Sequence, residues 1–175
     1  MPTLTLSPIA SADLDELLAF ELVNRAYFEA NINARPQAYY TPDGVSAAIG
    51  EAVNDARKGK AFQYLVRNER GELVARANLT QVKRAHFHSA ELGYRVAGAE
   101  TGKGIASEAV RLVLLKAFHE HGLVRVEATA RPENIGSVQV LRRNGFVQFG
   151  RSTRSFELGG AWFDRLYFER HDQAG

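Results

Sequence analysis

Gly98, Gly102 and Gly104, with Lys103 between the last two, mark the place in this chain where an anion is most easily held. They stand between a strand-like stretch and a helix-like one. The first N–H groups of a helix have no partner inside it, and the aligned peptide dipoles favour negative charge there. Without side chains at Gly102 and Gly104, a phosphate can approach the main chain. Two phosphate fingerprints do not fit. A P-loop needs four residues between Gly and Gly-Lys, then Ser or Thr; here three residues separate Gly98 from Gly102-Lys103, and Gly104 takes the place of the hydroxyl. A dinucleotide fingerprint needs a third glycine where Ser107 stands. A phosphate site of a third kind and a turn that binds nothing both stay open.

Proton chemistry has fewer candidates. Glu91 begins the strand before the glycines and can serve as a general base, directly or through water. The plain alternative is a solvated charge on a strand face. Asn31, Asn33, Arg35, Tyr39 and Tyr40 bunch in an irregular segment between two helical ones. Such segments often carry binding residues, and Asn31, Asn33 and Tyr40 are the candidates for touching a substrate. His86 and His88, and His119 and His121, have i, i+2 spacing. Without cysteine or an acidic cluster beside them they do not make a metal site. His119 and His121 suit a helix C-terminus, where cations are favoured.

These residues need elements to place them. Thr3 to Ser7 alternates as a short strand, and Ser11 is placed to cap a helix rich in early acids. Thr41-Pro42 starts a second helix that stops at Gly59. Phe62 to Arg67, Glu72 to Val82 and Glu91 to Val96 read as an antiparallel meander. From Ile105 the period becomes helical, and Gly122 closes that helix. Leu123 to Ala130 is the next strand, with Val124, Val126, Ala128 and Ala130 on one face. Strand, turn, helix and strand in this order predict a parallel crossover. A short helix spans Ile135 to Asn144. Phe146 to Ser152 and Trp162 to Arg170 close the sheet about Gly159-Gly160.

The chain has 175 residues, 45% hydrophobic and 24% charged, which is ordinary for one globular domain over residues 1–175. Lys+Arg 22 against Asp+Glu 20 is too even to argue for nucleic acid. Zero cysteines exclude disulfides, thiolate-bound zinc and a cysteinyl acyl-enzyme, and suit a cytoplasmic setting. No signal peptide or apolar run long enough for a membrane is evident, since spanning takes ~20 residues.

Thr101-Gly102-Lys103-Gly104-Ile105-Ala106 resembles the acyl-CoA pyrophosphate loop of the GNAT acetyltransferases: Gln or Arg, two residues, Gly, one residue, Gly or Ala. It departs at Thr101. About 30 residues on, Pro132-Glu133-Asn134-Ile135-Gly136-Ser137, followed by Leu141, Gly145 and Phe146, is similar to the family's Pro-x-Asn-x-x-Ser…Leu-x-x-x-Gly-Phe. The two motifs in this order are far more specific than either alone. The resemblance runs from about Leu4 to Phe168. Phe20 to Arg25, Arg35-Pro36 with Tyr39-Tyr40-Thr41, and Gly160 to Tyr167 resemble the ribosomal-protein-alanine N-acetyltransferase (RimJ/RimL-like) branch.

The resemblance implies an α/β fold: a mixed, mostly antiparallel sheet with splayed central strands, flanked by helices. Acetyl-CoA is then the cosubstrate, without a metal. Its pantetheine lies along Tyr94, Arg95 and Val96. Its pyrophosphate lies on Gly102, Lys103, Gly104, Ile105 and Ala106. Asn134 meets the pantetheine arm, and Arg142 or Arg143 reaches the ribose phosphate unless it is a plain surface charge. Ser137 matches the hydroxyl that protonates the CoA sulfur; its alternative role is the helix cap. Glu157 lies near the branch's base position, which aligns with Phe156. The implied activity is N-acetyl transfer to a primary amine, a protein N-terminus or a small amine, by direct attack. A non-catalytic acyl-CoA-binding module is the rival, and a homodimer is compatible with either.

Overall fold

The structure, a computed structural model, describes residues 1–172. Its elements are β1 (Thr5–Pro8), α1 (Leu14–Glu29), α2 (Pro42–Arg57), β2 (Phe62–Arg67), β3 (Leu73–Lys83), β4 (Ser89–Val96), α3 (Ile105–Leu115), β5 (Arg125–Ala130), α4 (Ile135–Arg143), β6 (Val147–Leu158) and β7 (Ala161–His171). The strands form one sheet in the order β1-β2-β3-β4-β5-β7-β6. β4 and β5 run parallel, and the other neighbours are antiparallel. Neighbouring residues of a strand face opposite sides. Leu65 therefore packs under α1 and α2 with Leu17, Val45 and Ile49, while Val66 packs against α3 with Ile105 and Ala109. The largest cluster, with Leu79, Leu92, Val113, Leu141 and Phe168, lies between the sheet, α3 and α4.

Thr41 caps α2 as its type predicts: its hydroxyl accepts the Gly44 N–H at 3.0 Å. The expected cap at Ser11 is not used. A short 3₁₀ turn, Ser11–Asp13, precedes α1 instead, and the Asp13 carboxylate takes the Ala10 N–H at 2.8 Å and Arg67 at 2.9 Å. The acid beats the hydroxyl because it binds a cation and an amide together. Val124 does not join the buried face of β5: it is 50% exposed and precedes the ladder, whereas Val126, Ala128 and Ala130 are buried. The last two strands are longer than their pattern suggests. Register shifts after Gln148 and Ser152 break the alternation of a continuous hairpin. Among the described residues no helix is long and apolar enough to cross a membrane.

Candidate active site

The β4–β5 ladder has three pairs, Ser89↔Arg125, Ala90↔Val126 and Glu91↔Glu127. Beyond Glu91 the strands part. β4 continues on β3 as far as Val96, and β5 continues on β7 as far as Ala130. A cavity of about 890 Å³ opens at this gap, lined by Gly93 to Val96 on one side and Asn134, Ser137 and Val140 on the other.

One end of the cavity is the glycine turn. Thr101, Gly102, Gly104, Ile105, Ala106 and Ser107 line it. Gly102 and Gly104 have φ of +77° and +80°, the left-handed region, so glycine is required there by backbone conformation. A side chain at Gly102 would project into open space, and one at Gly104 would meet only Pro2 at 3.6 Å. The loop is thus a bare main-chain cradle at the start of α3. Asn24, buried in α1, fixes its approach by accepting the Gly98 N–H at 2.9 Å. Gly98 is pressed against Tyr27: a Cβ would come within 3.2 Å of that ring. The Thr101 hydroxyl donates to the Gly98 carbonyl at 2.9 Å, so it staples the turn and does not reach outward.

At the middle of the cavity Tyr94 meets α4. Its hydroxyl is hydrogen-bonded to Ser137 Oγ at 2.7 Å. Burial pushes the Tyr94 phenol up to about 12, against the opposing pull of that hydrogen bond. The phenol therefore keeps its proton at neutral pH. The cap of α4 is Asn134, whose Oδ1 accepts the Ser137 N–H at 3.1 Å. Ser137 is the third helical residue and leaves the cap to Asn134, which overturns its alternative reading. The Asn134 carbonyl is engaged, and its NH₂ is the group left to face a ligand.

The other end is charged. Glu21, 1% exposed, reaches up from α1 to the Arg76 guanidinium. Arg76 also donates to Tyr39 Oη at 3.2 Å and to Gln63 Oε1 at 3.0 Å. Arg95 donates to the second Glu21 oxygen at 3.4 Å and lies over the Phe28 ring at 5.2 Å. Arg35 covers the Tyr39 ring at 4.2 Å. Burial first, and then the neighbouring Arg35 charge, bring Arg95 down to about 10.

Several predicted residues fall elsewhere. Glu91 is exposed at the last rung before the gap and does not line the cavity. It sits on the last rung where the two strands are still joined, on the face shared by Gly93 and Arg95. Lys103 also lies outside the lining and pairs with Glu100 at 3.2 Å. Asn31 lines the cavity, but Asn33 and Tyr40 do not. Asn33 donates to the Glu157 carbonyl at 3.0 Å, and Tyr40 lies under Arg25, 4.0 Å from its ring centre. Tyr39 takes the place expected of Tyr40. Glu157 is exposed, Arg143 lines the cavity and Arg142 does not. Among the described residues no group of three or more His, Cys, Asp or Glu could hold a metal. Arg76, and the roles of Glu21 and Asn24 within the Phe20 to Arg25 stretch, escaped the sequence reading; the available signal was a charge or amide at an inward position of a helix or strand.

Residues 3–147 match the family model described as an acetyltransferase (GNAT) domain. The chain is similar to a probable N-acetyltransferase, YjcK, of Bacillus subtilis, 34% identical over 93% of this chain and 90% of that one. It is 27% identical to the [ribosomal protein uS5]-alanine N-acetyltransferase of Escherichia coli, over 82% of this chain and 74% of the relative. The solved structure of Mycobacterium smegmatis RimJ in complex with CoA-disulfide superposes with a TM-score of 0.88 at 28% identity, covering 96% of this chain and 81% of that one.

Proposed function

Since the chain belongs to the GNAT family of acetyltransferases and is an N-acetyltransferase, we propose that it moves the acetyl group of acetyl-CoA to a primary amine, a protein N-terminal α-amine foremost, within a ternary complex. The observation that carries this reading is the break in the β4–β5 ladder after Glu91, which opens onto the glycine cradle, Ser137 and a polar pocket in one continuous cavity. The substrate fits on a physical ground: Gly102 and Gly104 leave room over the amides where a side chain would stand. In the RimJ relative that fold holds CoA.

Acetyl-CoA supplies a thioester whose carbonyl carbon accepts the amine lone pair; the C–N bond forms, the C–S bond breaks, the nitrogen loses a proton and the sulfur gains one. The β4 edge that β5 leaves free beyond Glu91 lies along the pantetheine and offers an N–H to the developing oxyanion. Gly102, Gly104, Ile105 and Ala106 hold the pyrophosphate, and the Asn134 NH₂ meets the pantetheine. Ser137 Oγ gives the sulfur its proton, held in place by Tyr94, whose own proton stays bound at neutral pH. Asn31 and Tyr39 line the acceptor side. The test is release of free thiol from acetyl-CoA against a panel of peptide N-termini and small amines. Binding of acetyl-CoA without release on any amine would refute the transferase reading and leave the non-catalytic module.

A further inference from the structure

Arg76 and Arg95 are direct cross-strand partners on β3 and β4, on the α1/α2 face. Like charges in that relation repel. Arg35 adds a third guanidinium whose charge, after burial, disfavours the protonated form of Arg95. Against these three stands one buried carboxylate, that of Glu21, and Arg76 uses most of it. Arg35 makes no hydrogen bond to any carboxylate among the described residues; the Tyr39 ring covers one of its faces. Among the described residues the Arg95 guanidinium has one long hydrogen bond, to Glu21, and no other. All three arginines line the cavity. A fold that only needed stability would not gather repelling cations there, because removing charge from water without a partner is costly.

We infer that Arg35, Arg76 and Arg95 form an anion subsite, and that the acceptor amine carries a carboxylate on the same molecule near its reacting nitrogen. The inference rests on the acyl-transfer reading above. Carboxylate is the anion these guanidiniums already take, since Glu21 bridges two of them, and planar guanidinium edges match it. The carboxylate comes from an acidic side chain next to a peptide N-terminus or from the α-carboxylate of a free amino acid. The same cations serve the chemistry. A positive neighbourhood disfavours an ammonium, so it lowers the pKa of the bound amine and supplies the neutral nucleophile. That offsets the absence of Glu91 from the cavity. Glu51 and Asp55 line the cavity from α2, and they make a cationic acceptor the rival.

The experiment measures thiol release by the full chain on matched acceptors: the peptide amides Ala-Glu-Ala and Ala-Gln-Ala, free alanine and alaninamide, and a diamine. The expected result is a ten- to hundredfold higher kcat/KM for the anionic member of one pair, the span of one or two charge-assisted hydrogen bonds. The pair that responds identifies the source of the carboxylate. Arg35→Gln should pull that ratio towards one, and Arg35→Lys should restore part of it. Among the described residues Arg35 is held only by its contact with the Tyr39 ring, so both variants should fold, which a melting curve checks. Ratios near one in both pairs, or preference for the diamine, overturn the inference while leaving acyl transfer intact. Absence of thiol release on every amine, with acetyl-CoA bound, overturns acyl transfer and the subsite's role with it.

Discussion

At the glycine end of the cavity the groups that face a ligand belong to the main chain; at the arginine end they are side chains brought from α1, the loop after it, β3 and β4. The first end depends on backbone shape. Two left-handed glycines and a helix start make it, and Asn24 and Tyr27 hold it from outside. The second depends on charges that compensate one another at a distance in sequence, and the buried carboxylate of Glu21 lies beneath the arginines in α1. A backbone cradle can take the same phosphate in many relatives. A side-chain cluster can be rewritten one residue at a time, so the difference teaches where a common donor and a particular acceptor are each decided.

The sharpest way to break the contrast is at the buried acid. Glu21→Gln leaves Arg76 without its counter-charge, and removing one partner of a buried pair costs about 3–5 kcal/mol. Urea unfolding should show that loss, and an unchanged midpoint would mean the cluster is solvated. Next comes Gly104→Asp, which adds left-handed strain and a negative charge at a phosphate. It should raise the Kd of acetyl-CoA about 100-fold by calorimetry. Unaltered affinity in a folded variant would place the phosphates elsewhere. Ser137→Ala should lower kcat by about 100-fold, the low end for general acid catalysis because a thiol leaves readily. Acetyl-CoA affinity should hold, and the melting temperature should fall only by what the lost Tyr94 hydrogen bond contributes, about 1 kcal/mol, because Asn134 and not Ser137 is the cap. Full kcat would remove Ser137 from the proton path. The smallest contrast lies within the acceptor loop. Tyr39→Phe and Asn31→Ala should raise the amine KM about three- to tenfold, about one hydrogen bond each, with the acetyl-CoA KM unmoved. Asn33→Ala and Tyr40→Ala, outside the cavity, should change neither; the reverse ranking would return the acceptor to them.

The glycine end was legible because its cause is local. Gly102, Gly104, the period change at Ile105 and the Asn134–Ser137 spacing all lie within short windows of sequence. The meander and the parallel crossover were legible in the pattern, but the splay came only through resemblance, since no local pattern says that a ladder stops after Glu91. For Glu91 the place on the strand was plain from sequence, while its position on the last rung before the gap was not. Tyr39 and Tyr40 are adjacent and alike, and only packing separates the one on Arg76 from the one under Arg25. Glu21 and Arg76 are 55 residues apart, so their pairing had no sequence signature.

The three-rung seam between β4 and β5 has a mechanical consequence. It makes the sheet two plates, β1 to β4 and β5 to β7, joined along a short hinge and braced by α3 and α4. A molecule wedged between the plates does the work of a missing strand. Acetyl-CoA at 100 times its Kd would add about 2.7 kcal/mol to the folded state. Much of that stiffening would fall on the free edges beyond Glu91, where amide exchange should slow. The occupied cleft would then present the acceptor with a sheet more nearly whole than the empty one.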